Sequence, residues 1–366
     1  MTKPISLGLM SLLAITMLCG TTSAYGQTER GQAVIAEWQK LLIKHPPRKG
    51  GIELELIASF PTKEQEDNGI YFVQGRHITR DQANNIYISD MRGNTIFKFD
   101  SGGQFLNKFG RAGQGPGDLS LPHFFHITSN NEIIVGETGN MRFQFLDSNG
   151  AYISSFKIFR GYISWITDKK GRIFAVPRLH PELKNIVEVL SPEGELLESF
   201  GEPLKFKYDM PIYNDANICI NNRDEIFVGF KHIPLIRKYS LNGVLRNEIK
   251  LAGDLFEEKE RSNIENQSRI ERTERSFYKP IVCDLQSSAE GFIFMHNYPR
   301  LEFYEHNSAG EILKSYWVEL SSDYMADSFS LILDKRGGVK FYVLQLYPES
   351  KVDIFIPKGS FKGGYR

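Results

Sequence analysis

Short runs of apolar and aromatic residues, each bounded by polar turn residues, recur along most of the chain. In one unit, Asn84-Asn85 leads into residues 86–90 (IYISD), and residues 96–100 (IFKFD) follow. Gly102-Gly103 and the apolar pair Phe105-Leu106 complete the unit. Runs rich in β-branched and aromatic residues, separated by such turns, are typical of β-strands. The pattern therefore predicts an all-β chain.

The same unit recurs with a fixed period. A turn glycine precedes its last strand at Gly103, Gly150, Gly194, Gly243 and Gly310, at intervals of 47, 44, 49 and 67 residues. Apart from the last, these intervals match the roughly 40–50 residues of a four-stranded propeller blade. A sixth copy, near residues 337–355, lacks its fourth strand. The repeat predicts a six-bladed β-propeller.

The missing fourth strand has a counterpart near the start of the chain. Gly50-Gly51 followed by residues 52–60 has the form of a turn glycine and a fourth strand. We expect this segment to pair with residues 352–355 and to close the ring, which leaves no unpaired edge between the first and last blades. The propeller is predicted to cover residues 50–358, with a tail at 359–366.

The first blade also carries a motif beyond its strands. Asp90 ends a strand, Asn94 follows it, and the glycine-rich link 110–118 leads to Pro122. This arrangement resembles the NHL repeat, and the second blade is similar in its Glu137 and in residues 140–145. The resemblance covers about residues 50–357 as architecture and is motif-specific over about 77–150. It implies an NHL-like six-bladed β-propeller of the secreted bacterial type, in a family that binds ligands more often than it catalyses.

The amino-terminal residues predict export. Lys3 precedes an uncharged run over residues 4–28 with an apolar core at 5–19, and the small residues Thr22 and Ala24 follow. This order is typical of a secretory signal peptide ending at residue 24. A retained anchor is the alternative, but the core is short for a bilayer span. Lipoprotein anchoring at Cys19 is less favoured because bulky Leu18 precedes it.

These features place the mature chain outside the cytoplasm, periplasmic or secreted, with no transmembrane segment. Its 44 basic and 44 acidic residues cancel, which argues against a nucleic-acid partner. A hydrophobic fraction of 41% excludes wholesale disorder. Removal of the signal leaves Cys219 and Cys283, which we interpret as buried thiols, although they could pair if their strands are adjacent.

Two segments lie outside the repeat. Residues 25–49 form a predicted helix and linker, with the helix at 29–44 ended by Pro46 and Pro47. Residues 253–276 carry mixed charges at helical spacing and predict a helical insertion. Its place in the repeat puts it on the face where propellers usually bind ligands. It is therefore a lid or rim of a site, or a plain surface insertion.

Histidines are the most conspicuous candidates for chemistry, because the chain has no G-x-S-x-G, H-E-x-x-H or C-x-x-C motif. His77 and His126 each begin a His-Ile-Thr triplet on a predicted inner strand, and we expect them at matching places in the central channel. They could hold zinc or calcium in a lyase or hydrolase. The alternative, which we favour, is a pair of hydrogen-bonded wall residues, with no cofactor expected.

A second pattern concerns cations. The turns between second and third strands bring at least one cation per blade to one end of the channel. The predicted binding residues are Arg92, Arg142, Arg178, Lys231, Tyr298 and Arg300. Such a ring would attract an anionic ligand, such as an acidic glycan, a carboxylate or an acidic peptide; alternatively, each cation pairs with a neighbouring acid.

The main functional hypothesis is an exported, non-catalytic binding propeller whose partner is a protein, peptide or carbohydrate. The metal-dependent enzyme is the competing hypothesis. A third is a structural role in an envelope assembly, with the 29–44 helix as the docking element.

Overall fold

A computed structural model describes residues 39–178, 184–206, 211–270, 279–321, 323–333 and 338–360. The signal-peptide prediction, and the part of the predicted helix before residue 39, lie outside the described residues. Three helices are described, namely α1 (39–44), α2 (Lys63–Asp67) and α3 (Asp254–Ile270), together with a 3-10 turn at Pro211–Asn214. No helix among the described residues is long and apolar enough to cross a membrane.

The strands form six blades of four, each with its inner strand first along the chain and its outer strand last. Blade 1 comprises β2 (Gly75–Arg80), β3 (Ile86–Asp90), β4 (Thr95–Phe99) and β5 (Phe105–Phe109). Blade 2 comprises β6 (Pro122–Ile127), β7 (Ile133–Glu137), β8 (Arg142–Leu146) and β9 (Tyr152–Lys157). Blade 3 comprises β10 (Tyr162–Thr167), β11 (Ile173–Pro177), β12 (Val187–Leu190) and β13 (Leu196–Phe200).

The second half of the ring repeats this order. Blade 4 comprises β14 (Ala216–Ile220), β15 (Glu225–Phe230), β16 (Leu235–Ser240) and β17 (Leu245–Lys250). Blade 5 comprises β18 (Asp284–Ser287), β19 (Gly291–Asn297), β20 (Leu301–Asn307) and β21 (Ile312–Val318). Blade 6 comprises β22 (Met325–Leu333), β23 (Val339–Tyr347), β24 (Lys351–Pro357) and, from the start of the chain, β1 (Ile52–Phe60). Each inner strand contacts the inner strands of both neighbouring blades, which closes the ring around a central channel.

The predicted closure by the first strand is confirmed. β1 runs antiparallel to β24, with Phe60 opposite Val352 and Leu56 opposite Phe355. At its other edge, Ile52 also pairs in parallel with Tyr316 on the outer strand of blade 5. One strand therefore completes blade 6 and fastens it to blade 5, a second role that the repeat did not predict.

The recurring turn glycines mark contacts between neighbouring blades. All five have positive φ values, from 74° to 95°. A Cβ atom at any of them would lie only 2.3–2.7 Å from a side chain on the outer strand of the preceding blade. The pairs are Gly103–Phe60, Gly150–Phe109, Gly194–Phe156, Gly243–Phe200 and Gly310–Ile249. The glycine is needed both for its backbone conformation and for this close approach.

Acidic residues at the ends of second strands act as backbone acceptors. The Asp90 carboxylate accepts hydrogen bonds from the backbone N–H groups of Val73 (2.7 Å), Gln74 (2.8 Å) and Gly93 (3.0 Å). Glu137 accepts in the same way from Ser120 N–H at 2.8 Å. Both carboxylates are buried, and they tie the connector between blades to the sheet.

Helices α1 and α3 are fastened to blades 4 and 5. The Arg300 guanidinium donates to the carbonyl oxygens of His45 (2.6 Å) and Leu42 (3.2 Å) at the end of α1. The predicted insertion is helical over 254–270, and its remaining residues from 271 lie outside the described part of the chain. The Lys259 ammonium of α3 donates to Pro280 O (3.1 Å) and Asn297 O (3.4 Å).

Candidate functional site

The inner strands share an irregularity at one end of the channel, where they begin and the second strands end; this end is called the mouth below. In blades 1, 2, 3 and 6 the pairing register shifts by one residue at this point, so one residue of the inner strand has no partner. The bulged residues are Arg76, His123, Ile163 and Asp327. A β-bulge redirects a side chain, and three of these four side chains are polar.

These three polar side chains are joined to one another. The Arg76 Nε–H donates to His123 Nε2 at 3.0 Å, and the same guanidinium forms an ion pair with Asp327. Burial alone would raise the pKa of Asp327, but the charges of Arg76 and Lys231 outweigh it and lower the pKa to about 2. Asp327 is therefore ionised at neutral pH.

His123 is a neutral imidazole of defined tautomer. Burial, and then the charges of Arg76, Lys231 and Arg178, lower its pKa well below the usual 6.5. Because a guanidinium can only donate, Nε2 must be the acceptor and the ring proton must lie on Nδ1. This Nδ1 is buried and has no hydrogen-bond partner among the described residues.

Blades 3 and 4 contribute two further cations and a carboxyl group to the mouth. Burial raises the pKa of Asp215 to about 6, while the charges of Lys231 and Arg178 act in the opposite direction. Lys231 also lowers the pKa of His77 and His123, and so its ammonium lies close enough to the axis to act on other blades. Within the described part of the chain, neither the Arg178 nor the Lys231 side chain forms a hydrogen bond or an ion pair.

The residues just below the mouth form hydrogen bonds between blades. Ser164 Oγ accepts from Ile218 N–H (3.3 Å), and Ser328 Oγ accepts from Ile78 N–H (3.4 Å). Asp284 occupies the same position in blade 5 and accepts from Phe329 N–H at 3.0 Å. In each case a side chain on one inner strand binds the backbone of the next blade.

His77 occupies this position in blade 1 but makes no such bond. It is 5% exposed, and neither ring nitrogen has a hydrogen-bond partner among the described residues. Its ring instead lies against Phe124, with the centroids 3.7 Å apart. Burial, and then the charge of His126, lower the pKa of His77 to about 3.

The predicted equivalence of His77 and His126 is wrong by two residues. Asp90 and Glu137 end matching strands, and from them the register makes Phe124 the counterpart of His77 and makes His123 the counterpart of Arg76. The one-residue bulge is invisible in the His-Ile-Thr triplets. The two histidines still influence each other electrostatically, and burial lowers the pKa of His126 to about 4.

Two other sequence-stated candidates can now be located. No group of three or more His, Cys, Asp or Glu side chains suited to a metal ion occurs among the described residues. Cys219 and Cys283 are both buried and are not bonded to each other. Burial raises the pKa of the Cys283 thiol to about 11, so it remains protonated at neutral pH.

The predicted ring of cations divides into three groups. Arg142 and Arg300 are buried and committed to internal contacts: Arg142 pairs with Glu137 at 2.5 Å and also donates to three backbone carbonyl groups, while Arg300 holds α1. Arg92 is exposed in its turn, and Tyr298 lies beneath the Lys259 ammonium, which is 5.7 Å from the ring centre. Arg178 and Lys231 are the two that belong to the mouth cluster.

Sequence reasoning missed Arg76, His123, Asp215 and Asp327. Three of them are bulge residues or lie next to the strand start, and a bulge has no residue signature of its own. The nearest available signal was the invariant spacing from Asp90 and Glu137, which aligns Arg76 with His123 once the strands are counted backwards.

The fold and the mouth cluster together define the class: a six-bladed β-propeller with charged side chains from five blades at one end of its channel. A family model described as a 6-bladed beta-propeller matches residues 73–157. No curated protein matches the sequence.

Solved structures are similar to the chain in fold. A presumed exported protein from Bacteroides fragilis is 12% identical with a TM-score of 0.57, over 83% of this chain and 94% of that one. A Bacteroides vulgatus member of the DUF4221 family is 13% identical with a TM-score of 0.55, over 83% and 98%. An inactive virginiamycin B lyase variant from Staphylococcus aureus, with quinupristin, is 9% identical with a TM-score of 0.50, over 83% and 99%. At these identities the likeness concerns the fold alone.

Proposed function

We propose that the chain is an exported binding protein that takes an anionic ligand at the mouth of the propeller channel, without catalysing a reaction. The ligand class is a carboxylate, free or carried by an acidic glycan or peptide. The amino-terminal sequence supports a location outside the cytoplasm, periplasmic or secreted. The similar Bacteroides fragilis protein is also described as exported.

One observation carries this proposal: the mouth has more cations than carboxylates, and two of its cations are unpaired among the described residues. Arg76, Arg178 and Lys231 face Asp215 and Asp327, which leaves one positive charge in excess when both acids are ionised. Arg76 is neutralised by its ion pair with Asp327. Arg178 and Lys231 therefore supply the attraction, which a low-dielectric channel strengthens.

Helix α3 forms one side of this site. Its Asn263 side chain donates to His232 O (2.9 Å), the carbonyl next to Lys231. The helix is thereby held over the turn that carries the Lys231 cation. In this arrangement α3 is a fixed rim rather than a plain surface insertion.

Direct titration with small carboxylates tests the proposal. We expect acetate and D-glucuronate to shift backbone NMR resonances around Lys231 and Arg178 in the purified mature protein. The double variant Lys231→Gln, Arg178→Gln should weaken binding by at least about ten-fold, because each change removes a charged hydrogen-bond donor. Arg92→Gln is the matched control, since Arg92 is an exposed cation outside the cluster, and it should leave binding unchanged.

If neither carboxylate shifts any mouth resonance, the proposed ligand class is wrong. If all three variants weaken binding equally, the effect is one of overall charge and the mouth is not the site.

A further inference from the structure

A small pocket lies between blades 2 and 3, beside the mouth. Its lining includes His123, Glu137, Gly161, Tyr162 and Trp165. It has room for about one water-sized group. His123 belongs both to this pocket and to the Arg76–Asp327 network, so the pocket is continuous with the mouth cluster.

Two unused hydrogen-bond donors belong to residues that line this pocket. The His123 Nδ1 carries the ring proton, because Nε2 accepts from Arg76. Trp165 is 3% exposed, and its indole Nε1–H can only donate. Both nitrogens are buried without a partner among the described residues. Buried donors of this kind normally have an acceptor, so the pocket lacks one.

Glu137 determines which acceptor suits the pocket. Its carboxylate lines the same space and is ionised beside Arg142. A second negative charge here would be repelled, which disfavours a carboxylate oxygen. A hydroxyl oxygen accepts two hydrogen bonds and donates one, so it can accept from His123 and Trp165 and donate toward Glu137.

The neighbouring cation links this pocket to the proposed ligand. The Arg178 backbone N–H donates to Gly161 O at 2.8 Å, and Gly161 lines the pocket. The Arg178 side chain thus begins at the pocket edge, and its charge acts on His123. A ligand carboxylate held by Arg178 and Lys231 would place an adjoining group near the pocket.

We propose that the pocket between blades 2 and 3 takes a hydroxyl group of the ligand, so that the ligand is a hydroxylated carboxylate such as a hydroxy acid or a uronic sugar. This inference rests on the proposed function, because it assumes a carboxylate at the mouth. The carboxylate supplies the attraction to the cations, and the hydroxyl group supplies selectivity.

Matched pairs of small acids test the inference. Glycolate is compared with acetate, and 4-hydroxybutyrate with butyrate, so that each pair differs by one hydroxyl group at two different reaches. Binding is followed by the indole N–H resonances of ¹⁵N-labelled mature protein, in which Trp165 is assigned with the Trp165→Phe variant. We expect at least one hydroxy acid to bind about five-fold more tightly than its partner and to shift the Trp165 indole resonance, while its partner does not shift it.

The variants separate this inference from the proposed function. Trp165→Phe keeps the ring but removes the donor, so it should abolish the preference for the hydroxy acid and leave acetate affinity unchanged. Trp317→Phe, on the outer strand of blade 5, is the matched control and should preserve the preference.

The outcomes are distinct. If the acids bind at the mouth but neither hydroxy acid is preferred and the Trp165 resonance does not move, the pocket holds only water and the inference is overturned, while the proposed function stands. If no acid binds, the proposed function fails and the inference falls with it. Should Trp165→Phe not fold, the wild-type indole shift alone decides between these results.

Discussion

The ring of Phe60 packs against Gly103, so closely that a Cβ atom on Gly103 would lie 2.7 Å from Cδ1 of Phe60. Phe60 ends β1, the strand that completes blade 6, and Gly103 lies in the last turn of blade 1. The contact repeats at each of the next four blade boundaries with a glycine in the same turn. Ring closure is therefore sealed by the same device that packs the interior blades.

Gly194→Ala should destabilise the propeller by about 2–4 kcal/mol, since it combines left-handed backbone strain with overpacking. Gly194 has φ +93°, and the added Cβ would lie 2.3 Å from Phe156. The free energy of unfolding from denaturant titration measures the loss. Gly171→Ala is the matched control because φ is +78° there but the nearest atom is 3.5 Å away. Equal losses in both variants would mean that the inter-blade contact contributes nothing.

Arg142→Gln should cost about 3–5 kcal/mol of unfolding free energy, because it leaves the Glu137 charge buried without its cation. The Arg142–Glu137 pair is at most 8% exposed, and it supports the glycine-rich connector between blades 1 and 2. Arg111 pairs with Asp118 in the same connector but is 86% exposed. Arg111→Gln should therefore leave the denaturation midpoint nearly unchanged. A similar midpoint for both variants would contradict the assigned role of Arg142.

Acetate affinity should rise by about three- to ten-fold as the pH falls from 7.5 to 5, from the loss of one nearby negative charge. The pKa of Asp215 is about 6, so protonation below this value raises the net charge of the mouth from +1 to +2. His123 stays neutral in this range because its pKa is well below 6.5, and Asp327 stays ionised with a pKa of about 2.

Asp215→Asn separates this effect from that of Asp284, whose pKa burial also raises to about 6 and on which Lys231 acts. We expect the variant to bind acetate at pH 7.5 as tightly as the wild type does at pH 5. If its pH dependence is unchanged, Asp284 rather than Asp215 controls binding.

Elemental analysis of the purified protein should find zinc and calcium well below one atom per chain. The physical reason is that His77 and His126 have no third ligand beside them among the described residues. Stoichiometric metal that disappears in His126→Ala would overturn this expectation and favour the lyase or hydrolase alternative. Thr79→Ala, at the blade 1 position that matches His126, controls for loss of packing.

The blades were predictable because their signals are local and repeat. The turn glycines at Gly103 and Gly150 recur where neighbouring sheets touch, so their spacing reports the blade length directly. The closing strand followed from the same logic, since Gly50-Gly51 precedes β1 as a turn glycine would. Packing regularities of this kind leave a periodic trace in the sequence.

The mouth was only partly predictable, because a bulge shifts the register without a residue signature. Counting by the His-Ile-Thr triplets aligned His77 with His126 and hid the true counterparts Arg76 and His123. Charge alone was also ambiguous. Arg142 and Lys231 both stand at strand ends, yet one binds internal carbonyl oxygens and the other lies at the mouth, and only the fold of the connector distinguishes them.

The double pairing of β1 has a mechanical consequence. Tension on the polypeptide ahead of α1 would first load the grip of Arg300 on His45 and Leu42. It would then have to shear β1 from sheets on both of its sides, because Ile52 is bonded to blade 5 and the rest of the strand to β24. A protein tethered through its leading end could thus bear a pull without opening its ring.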